Sequence, residues 1–111
     1  MSVTAKVLIA SKIAENSQTT QYTATGVTTI IDKFTATNYS GSAATLSINL
    51  VTSADTAGNQ NLVVKTRSLA AGETYTFPEV VGHVLNPSGF ISTIAGTATA
   101  INIRASGREI T

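Results

Sequence analysis

The stretch from Phe34 to Val51, FTATNYSGSAATLSINLV, constrains the fold more tightly than any other part of the chain. Two runs of alternating character flank a cluster of turn-forming residues. In the second run Ala44, Leu46, Ile48 and Leu50 fall on one side and Thr45, Ser47 and Asn49 on the other, the period-two pattern of a half-buried strand. Between the runs, Asn38, Ser40, Gly41 and Ser42 tolerate left-handed backbone or hydrogen-bond it locally. The stretch predicts a β-hairpin whose second strand lies in the core, centred on Leu46, with Tyr39 exposed at the tip. Beyond Asp32 and Lys33 just upstream, no acid, base, thiol or metal ligand decorates it.

The same cadence runs through the whole chain. Runs rich in Val, Ile, Thr, Tyr and Phe predict strands at Val3 to Ile13, Gln21 to Thr25, Thr28 to Thr37, Ala43 to Val51, Leu62 to Leu69, Thr74 to Phe77, Phe90 to Ala95 and Thr97 to Ala105. Turn clusters such as Ala57-Gly58-Asn59, Ala71-Gly72-Glu73 and Asn86-Pro87-Ser88-Gly89 separate them. In the first run Val3, Ala5, Val7 and Ile9 share an apolar face opposite Thr4, Lys6, Leu8 and Ala10. In the last, Thr99, Ile101, Ile103 and Ala105 oppose Ala98, Ala100, Asn102 and Arg104. No segment carries a sustained helical period, and only Pro78 to Leu85, PEVVGHVL, allows a helical turn, kept short by Gly82 and the β-branched residues. The expectation is an all-β fold: one domain over residues 1–111, an antiparallel β-sandwich of about eight strands with jelly-roll or related Greek-key topology.

Composition narrows the function. At 111 residues a single domain buries roughly two-thirds of its unfolded surface, enough core to fold unaided. With 12% charged residues and a net charge of +1, the chain lacks the basic footprint of a nucleic-acid binder, so no nucleic-acid partner is expected. Without cysteine it forms neither a disulfide nor a thiolate zinc site. Lys6 and Lys12 bracket the apolar patch Val7 to Ala10 too tightly for a signal-peptide core. No run approaches the roughly 18 apolar residues of a transmembrane helix, so no membrane partner is expected and synthesis is assigned to the cytoplasm. A mean hydropathy of +0.20 is high for so few charges. It fits a subunit partly covered by neighbours, as in a homo-oligomer, and equally a Thr-rich β domain that stands alone.

The search for chemistry is brief. His83 is the only histidine, and no nucleophile and orienting carboxylate accompany it, so it reads as structural or exposed. Glu79 lies four residues before it, a pair too small for a catalytic metal. Asp55, Asn59 and Asn61 offer oxygen atoms around Gly58 but lack calcium-loop spacing and its closing glutamate. The basic residues are scattered, although Lys65 and Arg67 share one strand face; they read as solvated or edge-blunting charges. The sequon Asn38-Tyr39-Ser40 reads as turn chemistry, and most aromatic residues as core and sheet packing. No catalytic, cofactor or metal residue is expected. Candidate partner contacts are Ser2, Val3, Thr4 and Lys6 in the N-terminal segment Met1 to Lys12, Tyr39 at the hairpin tip, and Asp55, Asn59 and Asn61 in the polar loop Thr52 to Asn61.

Four turns carry a resemblance. Thr37 to Gly41 fits a T-N-x-S-G hairpin, Leu69 to Thr74 an L-x-A-G-E-T turn, Leu85 to Gly89 an L-x-P-G-like turn lengthened by Ser88, and Ser106 to Glu109 a terminal S-G-x-E. Over residues 28 to 111 the chain resembles a family of small tailed-phage virion proteins. The resemblance implies a β-sandwich and a structural role in the virion, without enzymatic activity. It points first to a head decoration or cement protein bound to the major capsid protein as a homo-oligomer, and in the alternative to a tail-tip or fibre-associated module bound to tail proteins. It transfers no functional residue. A carbohydrate-binding adhesive domain is the third reading, disfavoured by the few aromatic rings.

Overall fold

The computed structural model describes residues 1–111, and their backbone is almost entirely extended. The strands are β1 (Val3–Ile13), β2 (Thr19–Thr23), β3 (Thr28–Asn38), β4 (Ala44–Val51), β5 (Leu62–Leu69), β6 (Thr74–Thr76), β7 (Val84–Leu85), β8 (Phe90–Ala95) and β9 (Ile101–Ile110). Pairing is nested and antiparallel throughout: β1 with β9, β2 with β8, β3 with β6, and β4 with β5. It is as though one long ribbon, its tip between β4 and β5, were wound on itself. The winding closes when β9 also pairs with β3 and β8 with β4. Two sheets result, β1-β9-β3-β6 and β2-β8-β4-β5, with β7 added to the start of β3. This is the winding of a jelly roll, one of the two topologies the cadence predicted.

Between the sheets lies one continuous core. Ile31, Phe34 and Ala36 of β3 and Ile101, Ile103 and Ala105 of β9 face Leu46 and Ile48 of β4 and Ile91 and Ala95 of β8. Phe77 stacks edge-on to Phe34 at 5.6 Å and to Tyr75 at 4.8 Å, and the Arg67 guanidinium sits 3.9 Å from the centre of the Tyr75 ring. The stretch Phe34 to Val51 is not the hairpin its pattern predicted: β3 and β4 do not pair, and the turn after Asn38 carries the chain from one sheet to the other, with Leu46 fully buried and Tyr39 49% exposed. Its second strand is buried on both faces. Asn49 donates to the Gly58 carbonyl (3.0 Å) and to Asn61 Oδ1 (2.7 Å), while Ser47 Oγ accepts the Thr66 N–H (2.8 Å). Leu50, expected in the core, is half-buried, and its neighbour Val51 is buried instead.

Three of the four motifs form turns, whereas Ser106 to Glu109 is extended within β9, and two of the turns are one device. The Asn38 carboxamide is fully buried between them. It donates to the carbonyls of Ser42 (2.8 Å) and Leu69 (2.9 Å) and accepts from the Ser40 N–H (2.9 Å) and hydroxyl (2.7 Å). The Asn38 backbone bonds Gly72 and Glu73 in the second turn. There Gly72 holds φ +77°, which favours glycine, and the Glu73 carboxylate accepts the Ala70 N–H (2.8 Å). Ser88 adopts φ +71° and donates its N–H to Ala24 (2.7 Å), so the lengthened turn anchors the chain entering β3. Pro78 to Gly82, the one place a helical turn was expected, forms a hydrogen-bonded turn without helix and β7 follows it, while the one helical turn, a 3-10 turn, is at Asn59–Asn61.

Three further expectations need correction. The last strand is not Thr97 to Ala105: Thr97–Ala100 forms a turn with Thr99 at φ +56°, and the strand runs from Ile101 to Ile110. Its polar second half stays extended because β1 and β3 pair with it on both sides, and that tertiary demand outweighs local propensity. The second strand is Thr19–Thr23, not Gln21 to Thr25, because Ala24 turns away to bond Gly89. The apolar face of β1 is broken as well. Val3 and Val7 are 54% and 43% exposed, whereas Leu8 and Ile9 are both buried. One extra residue between Val7 and Ile9 forms a β-bulge opposite Ser106 and Ala105, and it reverses the alternation.

The bulge has a counterpart on the other side of β9. Between Ile31 and Lys33, β3 carries an extra residue, Asp32, against Gly107 and Ser106. Leu8 then folds over Gly107. A methyl group built on Gly107 would run into the Ile30 carbonyl oxygen and come within 2.9 Å of Leu8 Cδ1, so only glycine fits between the twin bulges.

Candidate interaction surfaces

Strand direction sorts the candidate residues to the two ends of the sandwich. Val3, Thr28 and Ile110 pair at one end; Ile13, Thr37 and Asn102 at the other. Tyr39 therefore stands at the end formed by the loops after β1, β3, β5 and β8. Ser2, Val3, Thr4 and Lys6 lie at the opposite end, as does the Thr52 to Asn61 loop with Asp55, Asn59 and Asn61. They are not neighbours, however: β1 is the outer strand of one sheet, and the loop leads into β5, the far outer strand of the other.

That loop is built, not slack. The Asn59–Asn61 turn is 3-10. Asn61 accepts from Gly58 (3.1 Å) and Asn49 (2.7 Å) and donates to the Thr56 carbonyl (2.8 Å). Asp55 accepts from the Thr56 N–H (2.8 Å) and from Gln60 (3.3 Å). Asn61 is thus taken up in holding the loop, while Asp55 and Asn59 stay exposed. Beside it runs a groove of about 420 Å³, lined by Leu50, Asp55, Asn61, His83, Val84 and Asn86 among others. His83 is exposed, and Glu79 turns instead to the Tyr75 hydroxyl (3.4 Å). No group of three His, Cys, Asp or Glu side chains is placed to hold a metal ion.

Charge is distributed with more order than the sequence shows. Arg108 and the bulged Asp32 form a two-pronged ion pair (2.9 Å from both Nε and Nη2), which holds the Asp32 carboxyl below its usual range and raises Arg108. Between the sheets, the Tyr22 hydroxyl donates to Glu109 (2.5 Å), and Thr29 Oγ1 lies 2.7 Å from it. Because the phenol's one proton serves Glu109, Thr29 is the donor in the second bond. Burial, then the Glu109 carboxylate, pushes the Tyr22 hydroxyl up to about 12. Glu109 is lowered by the Tyr22 hydrogen bond and then by Lys6, 3.4 Å away. Lys33 and Arg104 make no ion pair and line a wholly polar depression on the outer sheet face with Ser11, Thr35, Thr37 and Asn102.

Sequence reasoning picked Val3 but missed its surroundings. In the unbroken register Val3, Ala5 and Val7 share the outer sheet face with Ile110, Ile30 and Val84, all half-buried or exposed. The apolar alternation of β1 was visible; what turned it outward was the bulge, which leaves no local sequence mark. Set against models of known families, curated proteins and solved structures, the chain matches none of them. Fold and surface together define a jelly-roll sandwich with an outward apolar edge and two hydrogen-bonded loop ends.

Proposed function

We propose that this chain is a non-enzymatic structural protein of a tailed-phage virion, a decoration or cement subunit that binds the major capsid protein from outside as a homo-oligomer. The observation that carries the reading is the apolar outer side of β1: Val3 and Val7 keep about half their surface in water in the isolated chain, as expected of a subunit completed by neighbours. The motifs of the resemblance support it, since three form turns that fix the sandwich and the fourth lies in β9 between the bulges of β1 and β3. A cement protein needs a stiff scaffold and docking loops; the Asn38 and Asn61 networks supply both. Tyr39, Asp55 and Asn59 are the exposed loop residues offered to the capsid.

Cryo-electron microscopy of virions, with the copy number per particle, tests the reading. Density on the capsid exterior at a copy number comparable to the capsid subunit's is the expected result. A few copies confined to the tail would overturn decoration in favour of a tail module, and absence from purified particles would overturn both. Tyr39→Ala is expected to keep the melting temperature and lower particle occupancy.

A further inference from the structure

We propose that the first half of β1, Val3 to Val7, is a self-complementary edge that pairs with the same segment of a second copy around a two-fold axis at Ala5. An open strand edge is a template for another strand, and proteins normally blunt it. Three of the four outer strands are blunted here. β6 has three residues. β2 has five and a bulge between Thr20 and Tyr22. β5 is bulged twice against β4 and carries Lys65 and a Thr66 at φ +45°. In β1 the bulges begin after Val7, so the segment before them stays regular, and all five of its residues are exposed.

The hydrogen-bond phase fixes which groups are free. Ser2 and Thr111 exchange both backbone bonds, so by antiparallel alternation Thr4 and Lys6 also bond inward to β9. The N–H and C=O groups of Val3, Ala5 and Val7 therefore point to the open edge. Antiparallel self-pairing centred on Ala5 sets Ala5 against Ala5 and Val3 against Val7 in both directions, and it satisfies all six groups of each copy.

The occupant follows from charge and register. Centring on Lys6 would oppose the two lysines directly, which is destabilising; centring on Val7 would drive Ala5 against the bulge. The Ala5 centre places Lys6 across from Thr4 and leaves its ion pair with Glu109 in place. On the outer face it joins Val3 and Val7 of each copy into one apolar strip, continuous with Ile110. The five-stranded β1 sheets of the two copies become one sheet across the axis. This pairing deepens the oligomer proposed above, but it stands on strand geometry alone and not on the virion reading.

The test uses the full chain. Analytical ultracentrifugation across micromolar to millimolar protein is expected to show reversible conversion of the 11.4 kDa monomer to twice that mass. Ala5→Pro removes only an N–H aimed at the open edge, a substitution that edge strands tolerate, and is expected to stay monomeric with an unchanged melting curve. Should it fail to fold, single cysteines decide, because the chain has none of its own. Cα atoms of a hydrogen-bonded antiparallel pair are about 5.5 Å apart, within disulfide reach. Ala5→Cys should thus oxidise to a covalent dimer at least about tenfold faster than the exposed control Ser17→Cys. A wild-type monomer at every concentration, a dimer indifferent to Ala5→Pro, or faster cross-linking through Lys6→Cys would each overturn the pairing. A monomer that still bound particles would do so while leaving the virion reading intact; if Ala5→Pro then abolished particle binding, a capsid strand would be the occupant.

Discussion

Removing the Asn38 carboxamide would strand the buried Leu69 carbonyl and take a partner from the Ser40 N–H and from the Ser42 carbonyl, which keeps the Ser40 hydroxyl. A buried group left without a partner costs about 1–3 kcal/mol. Asn38→Ala is therefore expected to destabilise the fold by about 1–3 kcal/mol, read as a lower denaturant midpoint with an unchanged slope. Asn38→Asp, which points acceptors at two carbonyl oxygens, should do at least as much harm. An unchanged midpoint in either variant would mean that the two turns do not depend on this side chain. That Asn38 is turn chemistry was legible, since Asn followed by Ser and Gly favours bonding to nearby backbone. Its reach to Leu69, in another strand, was not, because nothing local encodes which distant carbonyl a buried amide will meet.

At the scale of elements, β9 is the strand on which the sheet depends, held between β1 and β3 with a bulge on either side of Ser106 and Gly107. Gly107→Ala must displace either the Ile30 backbone or Leu8, and overpacking of this kind costs about 1–3 kcal/mol or more. Thermal melts should show the loss, and a Leu8→Ala background should recover only the part due to the side-chain clash, because the Ile30 carbonyl remains in the way. Full recovery would mean that the backbone yields. The sequence made β4 readable, since its alternation needs no partner to be seen. It left β1 half-read: Val3, Ala5 and Val7 do share a face, but whether that face looks inward depends on pairing with residues about a hundred positions away. A bulge arises between two strands, so one strand's pattern cannot announce it.

Across the whole molecule, carboxylates hold separate elements together, and each is lowered from its ordinary value: Glu15 by Lys12 and Gln21, Asp32 by Arg108, Glu109 by Tyr22 and Lys6. A depressed carboxyl pKa stabilises the fold fully above the unfolded value, near 4, and the contribution is lost as pH falls through the folded one. The melting temperature should accordingly be level through neutrality and fall below about pH 4, with a shallower fall in Glu109→Gln. Tyr22 behaves in the opposite sense. Its raised pKa keeps its contribution present below about 10, and lost as pH climbs through about 12. A melting temperature that rose on acidification would contradict the assignment of these pairs. The sandwich itself was legible from cadence, because many short alternating runs admit few other architectures, while the choice of winding required strand partners that no single run specifies. The nested pairing has a consequence for synthesis. β4 and β5 meet across a single ten-residue loop, but Val3 waits for Ile110, so the first strand made is the last to gain a partner. Pulse-labelled amides of β4 and β5 should become protected before those of β1, and a ribosome holding all but the final strand would carry a chain that can hairpin but cannot close.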